Sequence, residues 1–115
     1  MDDHRFFVAG LSSLINHAPD LEVCGSSQDG LRVASAVRRL RPDLVLMDVK
    51  LRRTDGITIA RTLRRLVGNV PILFISSLAD ARVRQQAHRL GALGFLEKTQ
   101  APALLLAGIR GALGK

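Results

Sequence analysis

The chain has 115 residues, enough for one domain, and its hydrophobic share of 47% can fill a core, which excludes a disordered or collagen-like polymer. No apolar run nears the ~20 residues that span a bilayer, and Met1-Asp2-Asp3-His4-Arg5 lacks the order of a secretory signal, so a cytoplasmic location is expected. The 17 Lys+Arg against 10 Asp+Glu give a formal charge of +7 that could attract nucleic acid, yet with no Tyr or Trp and 4 Phe the chain lacks the stacking surface of a single-strand binder.

In chain order, a helix is predicted from about Arg5 to Asn16, with Phe7, Leu11, Leu14 and Ile15 on one face and Asp3 as its N-cap. Pro19 and Asp20 break it, and Leu21-Glu22-Val23-Cys24-Gly25 reads as a strand. Cys24, the single cysteine, can form no internal disulfide and is expected as a small core residue rather than a nucleophile. A helix from about Leu31 to Leu40 follows, opened by Asp29 and Gly30. Asp43-Leu44-Val45-Leu46-Met47-Asp48 is almost continuously apolar, the pattern of a strand buried on both faces. Thr54, Asp55 and Gly56 open a helix over Ile57 to Leu66, and Pro71 to Ser76 is the next buried strand. A helix from about Ala79 to Arg89, a short strand at Gly94-Phe95-Leu96-Glu97 and a helix over Ala103 to Leu113 complete the chain. Arg38, Arg39, Arg61, Arg64 and Arg65 fall on the expected outer faces of helices, an ordinary use of positive charge.

The alternation predicts a doubly wound α/β protein with a parallel sheet. It opens on a helix, whereas such folds open on a strand. In open parallel sheets ligands bind beyond the carboxyl ends of the strands. Asp48 and Ser76 each close an apolar run, Lys98 follows the last one, and Asp2-Asp3 precedes the first helix. Singly these are ordinary residues: a turn cap, a turn serine, a surface lysine, an exposed acidic pair. Placed together at successive strand ends, they form a candidate site. Converging carboxylates call for a cation, and Mg²⁺ takes hard oxygen ligands. A carboxylate beside it can accept a phosphoryl group, with the lysine and hydroxyl sharing the charge.

These residues resemble the receiver domain of two-component response regulators, particularly those with a LuxR-type helix-turn-helix output. The likeness is carried by Asp2-Asp3-His4-Arg5, Ala18-Pro19-Asp20-Leu21-Glu22-Val23, Arg41-Pro42-Asp43-Leu44-Val45-Leu46-Met47-Asp48, Asp55-Gly56, Val70-Pro71-Ile72, Gly91-Ala92 and Gly94-Phe95-Leu96-Glu97-Lys98. The resemblance implies a flavodoxin-like fold in which Asp48 is the phosphoacceptor. It further implies Asp3 as a direct Mg²⁺ ligand, Asp2 as a ligand through water and the Lys50 backbone carbonyl as a third. Ser76 and Lys98 would bind the phosphoryl group, and Phe95 would be the aromatic switch residue. A sensor histidine kinase would be the phosphodonor, a homodimer the expected assembly, and DNA would be reached only through an output domain. Outside its own phosphorylation such a domain is not an enzyme.

The chain departs from the family pattern in three respects. A first, central strand between those ending near Gly25 and Asp48 is missing from the sequence, so a trimmed or misassigned start is expected in preference to a partner strand or a rearranged sheet. Arg52 stands where a proline is usual, which makes the loop after Asp48 more basic. The chain ends at Lys115 without a helix-turn-helix, as expected of an excised or stand-alone receiver. Two other functions compete with the phosphoacceptor: a receiver-like interaction module that uses no phosphate, and a small basic nucleic-acid binder.

Overall fold

The computed structural model describes residues 3–25, 32–49, 56–76 and 81–114. Helix α1 (Asp3–His17) includes Asp3 in its first turn, so Asp3 is a helical residue and not the cap. The first turn suits an acidic residue type because unpaired amides make that end of a helix positive. Of the face read from the sequence, Ile15 is buried and Leu11 packs beside it, while Leu14 is only partly buried.

Leu21–Gly25 forms no strand, contrary to expectation. The Val23 amide donates to the Asn16 side-chain oxygen at 2.9 Å, and no described strand lies beside the segment to build a ladder. Burial still alternates along it. Leu21 and Val23 join a core cluster while Glu22 and Cys24 face outward, so Cys24 is exposed rather than a core residue.

Helix α2 (Val33–Leu40) ends at Arg41, whose left-handed backbone (φ 47°) lets its amide reach the Val37 carbonyl at 2.9 Å. The remaining elements are β1 (Val45–Asp48), α3 (Gly56–Leu66), β2 (Ile72–Ser76), α4 (Ala81–Arg89), β3 (Gly94–Glu97) and α5 (Pro102–Ala112). Asp29, Gly30, Thr54 and Asp55, expected to open helices, lie outside the described residues, as do Leu31 and Ala79.

The sheet has the order β1-β2-β3, all parallel. Its middle strand, β2, is buried at every position, and Phe74 is fully enclosed. In β1 only Met47 is fully buried, because no second described strand flanks it. The expectation of burial on both faces therefore holds for β2 and only in part for β1.

Side chains alternate across the sheet and fill two cores. Met47, Ile72 and Phe74 meet Val37 of α2, Ile57, Ala60 and Leu63 of α3, and Ala87 of α4. On the other face Leu73 meets Ile15 of α1 and Ile109 of α5. Helices thus cover both faces of a parallel sheet, the doubly wound α/β arrangement expected. Among the described residues no strand precedes β1 and the sheet has three strands, where four were read from the sequence. The carboxyl ends of all three open on the same side, and that rim holds the candidate site.

Candidate functional site

Asp48 is the last residue of β1, Ser76 the last of β2, and Lys98 follows the end of β3. Parallel register aligns them. Asp48 pairs with Ile75 and Ser76 with Glu97, and the ladder runs on as the Val49 amide donates to Ile75 (3.1 Å) and the Lys98 amide to Ser76 (2.7 Å). Two strand spacings separate β1 from β3, about 10 Å, so a lysine at the end of β3 reaches β1 only by crossing the end of β2. Lys98 does so: its Nζ donates to Asp48 Oδ2 in a charge-assisted hydrogen bond. The side chains of Lys98 and Asp48 are 15% and 9% exposed, and Ser76, on the strand they bridge, is buried. An ion pair this enclosed is screened far less than one on an open surface.

Gly56 fixes the floor of the rim. Its amide donates to the Val49 carbonyl at 2.7 Å, and a Cβ there would stand 2.1 Å from the Asp48 carbonyl oxygen. The first turn of α3 can therefore sit against the end of β1 only because residue 56 has no side chain.

Phe95 is half-buried in β3 against the Phe74 core, and it pairs in register with Phe74. Above it the α4 residue Arg84 places its guanidinium 5.1 Å from the ring centroid and donates to Glu97 Oε1 at 2.7 Å. Arg84 was not singled out in the sequence. One arginine of a basic helix carries no mark of the strand residues it covers.

Of the residues expected to hold a metal, Asp2 and Lys50 lie outside the described residues, and Asp3 is placed in the first turn of α1 by its backbone. Among the described residues no three His, Cys, Asp or Glu side chains converge. Asp48, Ser76 and Lys98 are thus brought together, and Phe95 lies two register positions below Ser76 on the same sheet face.

The family model of the response regulator receiver domain matches residues 1–110. The protein-glutamate methylesterase/protein-glutamine glutaminase of Pyrococcus horikoshii is 36% identical over 102 residues, covering 85% of this chain and 27% of that protein. The transcriptional regulatory protein LiaR of Bacillus subtilis is 31% identical over 112 residues, covering 97% of this chain and 53% of that protein. The chain thus spans about half, or less, of the length of these curated relatives. Among solved structures, a LuxR-family two-component response regulator from Aurantimonas superposes with a TM-score of 0.90 at 29% identity, over 98% of this chain and 81% of that one. The response regulator domain of Thermotoga maritima CheB superposes at 0.86 with 26% identity, over 99% and 92% respectively. No described helix is long and apolar enough to cross a membrane. With a matched model over nearly its whole length and parallel-sheet topology to agree with it, this chain belongs to the response regulator receiver domain family.

Proposed function

We propose that the chain is the phosphoacceptor of a two-component pathway, taking a phosphoryl group from the phosphohistidine of a sensor kinase onto Asp48. The observation that carries this reading is the Lys98 ammonium laid across the end of β2 onto the Asp48 carboxylate, beside buried Ser76. An Asp48 carboxylate oxygen forms the new P–O bond as the P–N bond to the kinase histidine breaks. Lys98, already within the rim, moves from the carboxylate to the phosphoryl oxygens and stabilises their charge without reorganising from solvent. The Ser76 hydroxyl donates to a phosphoryl oxygen, and its displacement toward Asp48 is passed to Phe95 on the same sheet face.

Asp48, Asp3, Asp2 and the Lys50 carbonyl would hold Mg²⁺, and as a donor set they fit it, since all are hard oxygens. Bound there, Mg²⁺ neutralises charge on the transferring group. The domain acts as a switch rather than as an enzyme, in the cytoplasm where sensor kinases present their phosphohistidines. Homodimerisation and control of transcription through an attached output domain are the proposed readouts, LiaR being the relative whose name carries that role.

Beryllofluoride with Mg²⁺ mimics the phosphoryl group. Added to the protein, it is expected to shift amide NMR signals around Asp48, Ser76 and Lys98, and Asp48→Asn is expected to abolish the shifts. A native protein that gives no response sinks the reading. A phosphate-independent interaction module is the second reading, favoured by Leu21–Gly25 sharing no ladder with β1. Partner binding unchanged by Asp48→Asn would decide for it.

A further inference from the structure

Phe95 and Glu97 point to the same face of β3: Glu97 is the direct cross-strand partner of Ser76, and Phe95, two residues earlier, pairs with Phe74. Arg84 touches both, with its guanidinium over the Phe95 ring and a hydrogen bond to the Glu97 carboxylate. It stands in the first turn of α4, the helix that follows β2 and Ser76 in the chain. Lys98, the residue after Glu97, is bonded to Asp48. One side chain therefore spans from the leading turn of α4 to the two β3 residues that border the site.

We infer that Arg84 is a positioning residue of this switch, a clasp that holds the first turn of α4 and the Phe95 ring in the arrangement that accompanies an unmodified Asp48 carboxylate. The inference rests on the proposed phosphoacceptor role. The chemistry suits a clasp that opens. Arg84 and Glu97 side chains are 47% and 35% exposed, so their ion pair is weak, and the exposed Arg84 cation over the half-buried Phe95 ring is also a modest attraction. Neither contact alone resists the pull of a phosphoryl group on Ser76, but both are lost together if the ring turns inward or the end of β3 shifts. Release of Arg84 frees the leading turn of α4, and a change at the rim becomes a change on the α4 surface.

The test compares the full chain with Arg84→Gln, which removes the charge and shortens the side chain while keeping a planar hydrogen-bond donor, and with Arg84→Lys, which keeps the charge but not the planar fork. Two measurements are made on each. Amide hydrogen exchange over residues 85–88, whose amides bond to the carbonyls of the first turn of α4, reports on the clasp without beryllofluoride; titration with beryllofluoride and Mg²⁺, followed by NMR, reports on coupling. Arg84→Gln is expected to speed exchange at these amides and to tighten apparent beryllofluoride affinity about threefold, because it removes an attraction present only in the unmodified arrangement. Arg84→Lys is expected to fall between parent and Arg84→Gln. Unchanged exchange in Arg84→Gln overturns the clasp. Faster exchange with unchanged affinity overturns its coupling to Asp48. If the parent itself fails to respond to beryllofluoride, the phosphoacceptor reading fails and this inference fails with it, a result distinguishable from the other two.

Discussion

At residue scale the site depends as much on a missing side chain as on those present. Gly56 brings α3 to within contact of the Asp48 carbonyl, where a Cβ would stand 2.1 Å from that oxygen and 3.0 Å from Met47 Cγ. The first obstacle is backbone in a strand, so it cannot swing aside as a flexible side chain would. Gly56→Ala should therefore push α3 away from β1, despite the higher helix propensity of alanine. We expect a loss of about 2–3 kcal/mol in urea unfolding, the range of overpacked core positions, together with a disturbed Asp48 environment. Gly108 offers a contrast on α5. There a Cβ would meet Leu96 Cδ2 at 2.6 Å, the far end of a movable side chain, so Gly108→Ala should cost less than Gly56→Ala in the same assay. If the two cost the same, the rigidity of the β1 end is not the deciding factor.

At the scale of elements, β1 carries the clearest test of the sheet. The Val45 and Val49 amides donate to Pro71 and Ile75 of the β2 side, at 2.9 and 3.1 Å, so alternation turns the Met47 amide toward β2 and the Leu46 amide away from it. Hydrogen exchange should be slow at Met47 and much faster at Leu46. Equal protection at both would mean that another strand covers the outer edge of β1. This element also shows how far the sequence could be read. The two apolar runs ending in Asp48 and Ser76 were legible, as was the placement of Lys98, because a strand deep in a parallel sheet leaves a polar residue only where the chain emerges. Leu21–Gly25 was misread because its alternating residues satisfy the pattern of a strand, while strand formation also needs a neighbour to pair with, and pattern cannot supply one. The expected inward Cys24 failed by phase: once Leu21 and Val23 face the core, Cys24 must face outward. Arg84 was illegible for a third reason, since its partners on β3 are set by how α4 packs.

At the scale of the whole molecule, the question is how a chain of net charge +7 stays folded against its own repulsion. Part of the answer lies in where the positive residues fall. Arg38 and Arg39 are in the last turn of α2, Arg64 and Arg65 in the last turn of α3, and His88 and Arg89 in the last turn of α4. Unpaired carbonyls make those ends negative. Arg38 donates directly to the Leu66 carbonyl of α3 at 2.7 Å, and Arg64 to the Gly91 carbonyl at 3.1 Å. Elsewhere Arg110 binds Asp20 through two hydrogen bonds, tying α5 to the turn after α1. Two effects then oppose each other at the exposed Arg39 and Arg65: attraction to their own helix ends, which is short in range, and repulsion by the other cations, which is spread over the molecule. Distance favours the attraction. We expect the double variant Arg39→Gln, Arg65→Gln to be less stable than the parent by about 1 kcal/mol at low salt, from about 0.3–1 kcal/mol for each charge at a helix end. The difference should shrink toward zero in 1 M salt, where screening acts within about 3 Å. Urea unfolding at the two salt concentrations decides the matter. A double variant more stable than the parent at low salt would show that repulsion dominates, and that the arginines at these helix ends are retained for contacts outside the fold.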